Sequence, residues 1–130
     1  MGTIDLTGTT FDETVAGDRL VLVDVWAAWC GPCRAFAPVF ERASQDHPEV
    51  VFAKLDADAE RELARRLRIR GIPTLLAFRR GVEVGRRIGA MSAAKLDRVI
   101  ADLGQVDPDA VRAERADRRG IRRLLPVRRG

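Results

Sequence analysis

The 130-residue sequence predicts one α/β domain followed by a basic extension. Apolar runs of strand length alternate with amphipathic helical patterns, which is the arrangement expected of a sheet flanked by helices. The hydrophobic content of 46% is that of a folded chain. Residues 1–104 carry equal numbers of basic and acidic side chains, whereas residues 105–130 carry eight arginines against four acids. We therefore predict an α/β domain at 1–104 and an Arg-rich C-terminal extension at 105–130.

The first half of the domain is predicted to contain two strands and two helices. A short strand at 4–6 precedes a helix over 11–17, and apolar residues at helical spacing predict a second helix over 33–46. Between these helices, the run 20–25 is apolar except for Asp24, which is typical of a strand covered on both faces. Burying a carboxylate is costly, so Asp24 is an anomaly that calls for a functional reason.

The second half is predicted to contain three strands and two helices. Residues 50–55 repeat the buried-strand pattern, with Lys54 as the polar exception, and residues 59–67 form a short amphipathic helix. The run 75–88 predicts a hairpin that turns at Arg80-Gly81. A helix over 93–104 then completes the element order βαβαβαββα.

The extension is predicted to be a short helix or a disordered segment. Asp107-Pro108-Asp109 is a suitable helix start, but Val111 is the only strongly apolar residue in the helix that would follow. Three interpretations are open: a disordered tail, docking of Ile121, Leu124 and Leu125 on the domain, or binding to an acidic partner or anionic membrane. We favour disorder or self-docking over a binding role.

Charge and composition exclude several classes of protein. The formal charge of +4 lies entirely in the extension, so the high pI is no evidence that the domain binds nucleic acid. No apolar run approaches the length of about 20 residues that spans a bilayer. The N-terminus lacks the features of a signal peptide, so we expect a cytoplasmic protein, provided that no leader was trimmed. The sequence holds no oligomerisation signal, and we expect a monomer.

Cys30 and Cys33 are the only cysteines, and they lie where an apolar strand gives way to a helix. This position puts Cys30 at a helix N-terminus, where the dipole and free N–H groups favour a thiolate. A dithiol–disulfide exchange site is the first hypothesis, and half of a zinc site is the alternative. Structural zinc usually needs four ligands, and His47 is the only other soft candidate, so we favour redox chemistry and expect no metal.

Two segments resemble the signatures of the thioredoxin family. Residues 23–33, ending in Trp29-Cys30-Gly31-Pro32-Cys33, are similar to the family's active-site segment, and residues 70–74 are similar to its second signature. The resemblance covers about residues 3–104. It implies the thioredoxin fold, a five-stranded mixed sheet flanked by four helices. It also implies an electron carrier that reduces protein disulfides, needs no cofactor of its own and is recharged by a flavin-dependent thioredoxin reductase.

The two cysteines are predicted to have different roles. Cys30 is the predicted nucleophile because it is nearest the helix start, and Cys33 then attacks the mixed disulfide to release the reduced substrate. Asp24 is the candidate base for the Cys33 proton, directly or through one water. Burial should raise the pKa of Asp24 toward neutrality, and Lys54 should partly restrain that rise.

The remaining predicted site residues either tune the redox potential or contact the substrate. Gly31 and Pro32 help to set the redox potential, and Ile72-Pro73 is a candidate cis peptide bond. The resemblance implies that Pro73 packs against the two sulfurs and that the Ile72 backbone pairs with an extended substrate. Trp29, Gly31, Ile72 and Gly89 would form a shallow docking surface.

A cluster of arginines and the function of the whole chain each allow a second interpretation. The cluster Arg65, Arg66, Arg68 and Arg70 is most simply a solvated face, although it could steer acidic partners. The competing function is a binding or chaperone-like module in which the thiols are incidental and the basic tail contacts a partner.

Overall fold

A five-stranded mixed sheet forms the middle of the molecule. The computed structural model describes the backbone of residues 2–129 and the side chains of residues 2–119. The strand order is β1-β3-β2-β4-β5; β1, β3 and β2 are parallel, and β4 and β5 are antiparallel to their neighbours. The predicted five-stranded mixed sheet is therefore confirmed. The strands are β1 (Thr3–Asp5), β2 (Val21–Trp26), β3 (Val51–Asp56), β4 (Thr74–Arg79) and β5 (Val82–Ile88).

Four helices accompany the sheet, and a fifth belongs to the extension. The four are α1 (Phe11–Val15), α2 (Gly31–Asp46), α3 (Arg61–Arg66) and α4 (Ala93–Gly104). The fifth is α5 (Pro108–Arg129), where the sequence predicts either a short helix or disorder. The division of the chain at residue 104 stays a prediction.

Each face of the sheet has its own apolar core, because side chains along a strand alternate between the two faces. Helices α2 and α4 cover one face, where Leu22 packs with Phe36, Phe40 and Leu96. Helices α1 and α3 cover the other face, where the alternate β2 residues Val21, Val23 and Val25 lie. Asp24 is on the Leu22 face, so the strand directs its carboxylate toward the side covered by α2.

The start of the extension contacts the domain. Val106 and Val111 pack against the core beneath α4. Arg112 and Arg115 donate hydrogen bonds to the carbonyls of Arg80 (2.9 Å) and Glu83 (3.1 Å). The side chains of Ile121, Leu124 and Leu125, for which the sequence suggests docking, lie outside the described residues. Among the helices that the structure describes, none has the length and apolar character required to cross a membrane.

Candidate active site

Cys30 is the N-cap residue of α2 and is joined to Cys33 by a disulfide bond. Its backbone is extended, with φ −89° and ψ 112°, and its Sγ accepts a hydrogen bond from the Cys33 backbone N–H at 3.2 Å. The sulfur thus occupies the position in which a Ser or Asp oxygen ordinarily caps a helix. Both residues are nearly inaccessible, with 4% of Cys30 and 2% of Cys33 exposed.

The capping geometry favours negative charge on Cys30 once the disulfide is reduced. A thiolate at this place accepts a charge-assisted hydrogen bond and lies at the positive end of the helix dipole. Both effects lower the pKa of a thiol, and the thiolate is the form that attacks disulfides. Pro32, in the first turn, has no N–H to leave unpaired at the helix start.

The Ile72-Pro73 segment closes one side of the disulfide. Its peptide bond is cis, as the sequence suggests, and the Ile72 carbonyl oxygen lies 3.9 Å from the Cys30 Sγ. The Ile72 side chain packs with Ala27 and the two cysteines. Behind this segment, the Gly89 N–H donates to the Pro73 carbonyl at 2.8 Å, with Gly89 at φ +101°. That backbone conformation is one that glycine adopts readily, which accounts for a glycine here.

Asp24 is fully buried in β2, and neither carboxylate oxygen has a hydrogen-bond partner among the described residues. Burial raises the pKa of Asp24 to about 6, and the positive charge of Lys54 opposes the rise. Lys54 is the residue opposite Asp24 on β3, and its Nζ lies 5.2 Å from the Trp26 ring centroid. The Asp24 carboxyl can therefore gain or lose a proton near neutral pH in a place that water reaches poorly.

An open groove of about 770 Å³ begins at Cys30 and extends to α3. Trp29 forms part of its wall with 69% of its surface exposed, and its indole N–H donates to Asp58 at 2.9 Å. This bond holds a large apolar side chain at the edge of the disulfide. The residues that line the groove are Trp29, Cys30, Gly31, Pro32, Ala57, Arg61, Ala64, Arg65, Ile69, Arg70, Gly71 and Ile72.

The predicted site residues fall into two sets. Five of them line the groove: Trp29, Cys30, Gly31, Pro32 and Ile72. Pro73 and Gly89 are hydrogen-bonded to each other and do not line the described groove. Asp24, Lys54 and Cys33 do not line the described groove either: Asp24 and Cys33 are buried, and Lys54 lies opposite Asp24 on β3.

Sequence reasoning missed the far wall of the groove, which α3 supplies. Arg61 and Arg65 are four residues apart and so share one face of that helix, which is the signal the sequence did contain. Their nearness to Cys30 depends on tertiary packing. His47, considered as a metal ligand, instead contacts Asp97 (3.1 Å) and Glu49 (3.5 Å), and the hydrogen bond to Asp97 raises its pKa.

The comparisons with known proteins all indicate the same family. The family model described as Thioredoxin matches residues 2–102. The thioredoxin of Alicyclobacillus acidocaldarius is 42% identical over 104 residues, which are 79% of this chain and 99% of that protein. The bifunctional thioredoxin reductase/thioredoxin of Mycobacterium leprae is 41% identical over 103 residues, which are 78% of this chain and 22% of that protein. The crystal structure of Malassezia sympodialis thioredoxin superposes with a TM-score of 0.72 at 32% identity, covering 78% of this chain and 93% of that one.

Proposed function

This chain belongs to the thioredoxin family and is a disulfide oxidoreductase, and on that premise we propose that it reduces disulfide bonds in other proteins. The observation that supports the proposal best is the hydrogen bond from the Cys33 N–H to the Cys30 Sγ at the start of α2. It gives Cys30 the surroundings of a reactive thiolate beside a groove that is open to a protein segment.

In the first step, the Cys30 thiolate attacks one sulfur of the substrate disulfide. A bond forms between Cys30 Sγ and that sulfur while the substrate S–S bond breaks. The other substrate sulfur leaves as a thiolate and takes up a proton from water. The product is a mixed disulfide between Cys30 and the substrate.

In the second step, Cys33 loses its proton and attacks Cys30 Sγ. We assign the proton to the Asp24 carboxylate, directly or through one water, because Asp24 is buried with no hydrogen-bond partner among the described residues and burial raises its pKa to about 6. The Cys30–Cys33 disulfide forms, the mixed disulfide breaks, and the second substrate thiolate is released. Two electrons have moved from the dithiol of this chain to the substrate.

The oxidised chain then needs an electron donor, which we propose to be a thioredoxin reductase. The Mycobacterium leprae relative supports this partner, because its name joins a thioredoxin reductase and a thioredoxin in one polypeptide. In the cell this chain would act as an electron carrier in redox homeostasis. We place it in the cytoplasm, where the glutathione and thioredoxin pools keep such a dithiol reduced.

Substitution of each cysteine tests the mechanism. In an insulin-reduction assay, Cys30→Ser is expected to abolish turnover because it removes the attacking sulfur. Cys33→Ser is expected to lose turnover but to accumulate mixed disulfides, because the first step remains and the second does not. Non-reducing electrophoresis with mass spectrometry identifies the trapped species.

The double variant Cys30→Ser/Cys33→Ser is the matched control, and it should trap nothing. Mixed disulfides through Cys33 in the Cys30→Ser variant would reverse the two roles. Full turnover in either single variant would contradict the mechanism and favour the alternative, a binding module whose thiols are incidental.

A further inference from the structure

The groove beside Cys30 has a cationic wall. Three of its lining residues are Arg61, Arg65 and Arg70, all exposed, and among the side chains that the structure describes no Asp or Glu lines it. Arg61 and Arg65 project from one face of α3, and Arg70 lies on the segment that leads to the cis peptide bond. We call the space between these three side chains and Cys30 the arginine groove.

The positive charge of this groove is only partly neutralised within the chain. Among the described side chains, Arg61 and Arg70 form no ion pair, whereas Arg65 pairs with Glu62. The Glu62 side chain is 88% exposed, so this pair is solvated and can exchange partners at little cost.

The acids that precede α3 are held by other groups. Asp58 accepts the Trp29 indole N–H at 2.9 Å, and Glu60 accepts the Gly8 backbone N–H at 2.8 Å. Asp56 accepts the backbone N–H groups of Asp58 and Ala59 at 2.9 and 3.2 Å. These three carboxylates precede α3 in the chain, and none of them lines the groove.

We propose that the arginine groove binds the segment next to a substrate's disulfide and selects segments that carry Asp or Glu. Guanidinium groups bind carboxylates through paired hydrogen bonds, and three of them face one space here. Ala57, Ala64 and Ile69 give the groove apolar patches against which an extended chain can lie. The proposal rests on the proposed function, because the selected segment is that of a protein whose disulfide Cys30 attacks.

The expected selectivity is moderate and depends on salt. An exposed ion pair contributes about fivefold in binding at most, and three neighbouring pairs are not additive. We expect acidic substrates to react about tenfold faster than basic ones at low salt, with the ratio falling at about 0.5 M salt because of screening.

Three cyclic peptides test the inference. They share one disulfide ring and differ only in three flanking residues, which are all Glu, all Gln or all Lys. The full-length chain is reduced, freed of reductant and mixed with each peptide, and second-order rate constants are read by chromatography of acid-quenched samples. A Glu-to-Lys ratio of about ten supports the proposal, and equal rates overturn it.

Matched variants distinguish the effect of the groove arginines from the effect of the protein's net charge. Arg61→Gln/Arg65→Gln/Arg70→Gln should bring the ratio close to one. Arg42→Gln/Arg98→Gln/Arg119→Gln removes the same charge from exposed positions outside the groove and should leave it near ten. Loss of the preference in this control set would overturn the proposal.

A single charge reversal covers the case in which the triple variant fails to fold. Arg61 is the first residue of α3, where a carboxylate is compatible with the helix dipole, so Arg61→Glu should fold and should shift the preference toward the Lys peptide. An unchanged Glu-to-Lys rate ratio in this variant would overturn the proposal. A ratio that falls as the protein concentration rises would also overturn it, because it would show that a second copy of the chain occupies the groove. Failure of the wild-type chain to reduce the Gln peptide would instead contradict the proposed function.

Discussion

Asp24 is the residue at which stability and chemistry compete most directly. Its carboxylate is buried with no hydrogen-bond partner in the part of the chain that the structure describes, and burial raises its pKa from 3.8 to about 6. The folded state therefore binds a proton more tightly than the unfolded state. The free energy of unfolding falls as pH rises from about 4 to about 6, and it stays lower above that range. A shift of about two pKa units corresponds to about 3 kcal/mol.

Asp24→Asn should therefore stabilise the oxidised protein at pH 8, by up to about 3 kcal/mol, because the neutral side chain avoids the buried charge. At pH 4, where Asp24 is already protonated in the fold, the two proteins should differ little. Urea unfolding at both pH values measures the difference. Asp46→Asn, at an exposed position on α2, is the control and should change stability by less than about 0.5 kcal/mol. Equal stability of Asp24→Asn and wild type at pH 8 would show that burial does not penalise the charge.

The same substitution should slow the Cys33 step. In the wild type, release of substrate from the mixed disulfide should slow as pH falls through about 6, because Asp24 becomes protonated and no longer accepts the proton. In Asp24→Asn, release should be slower at pH 7 and should lose that inflection. Stopped-flow measurement of mixed-disulfide decay between pH 5 and 8 tests this. An unchanged profile would remove Asp24 from the role of base.

At the scale of elements, β5 and α4 approach each other closely at Gly85. A Cβ atom at Gly85 would overlap Cδ2 of Leu103, which is buried in the core between α4 and the sheet. A side chain at Gly85 would force Leu103 to move; the close approach accounts for glycine there, since its backbone needs no unusual φ. The helix position thus depends on the absence of a side chain on the strand.

Gly85→Ala should destabilise the domain by about 1–3 kcal/mol, because overpacking moves Leu103 or shifts α4. Thermal and urea unfolding measure the loss. Gly104→Ala is the matched control, because a Cβ atom at that helical position meets nothing within 4 Å. It should be neutral or stabilise by up to about 1 kcal/mol, as Ala favours the helix. Similar losses in both variants would contradict the packing argument.

At the scale of the whole molecule, the first residues of the extension pack against the domain. Val106 and Val111 pack on the core, and Asp109 accepts hydrogen bonds from Arg80 at 3.0 Å and from Arg112 at 3.4 Å. Within residues 105–119, whose side chains the structure describes, none lines the groove. We therefore expect the extension to affect stability and not chemistry.

Truncation after Gly104 should lower the free energy of unfolding by about 2 kcal/mol, because the packing of two partly buried valines and the polar contacts of Asp109, Arg112 and Arg115 are lost. Insulin reduction at 25 °C should stay within about twofold, in line with the predicted domain boundary, since the site lies elsewhere. Truncation after Arg119 keeps these contacts and is the control; it should match the full chain in both measurements. A large loss of turnover in the shorter protein would place the extension in the site.

The sequence revealed those features that interrupt a regular pattern. Asp24 stands out because it breaks an apolar strand, and Cys30 because a strand gives way to a helix there. Arg65 and Arg70 belong to the cluster that could steer acidic partners, but their position beside Cys30 was not predicted, because Arg61 and Arg65 have the spacing of an ordinary solvated helix face. Only the packing of α3 beside the disulfide gives these arginines a functional position, and such a long-range contact has no local signature. The Trp29–Asp58 hydrogen bond escaped prediction for the same reason.

The guanidinium groups of Arg112 and Arg115 have a consequence for association between copies of the molecule. Strand β5 is an outer strand of the sheet, and an outer strand with free carbonyl groups is a template for aggregation. Hydrogen bonds from the two arginines occupy the carbonyl of Arg80, in the turn before β5, and that of Glu83, in β5 itself. The opposite outer strand, β1, is only three residues long. Of the sheet that the structure describes, the extension therefore occupies the start of one border, and the other border is too short to recruit a foreign strand readily.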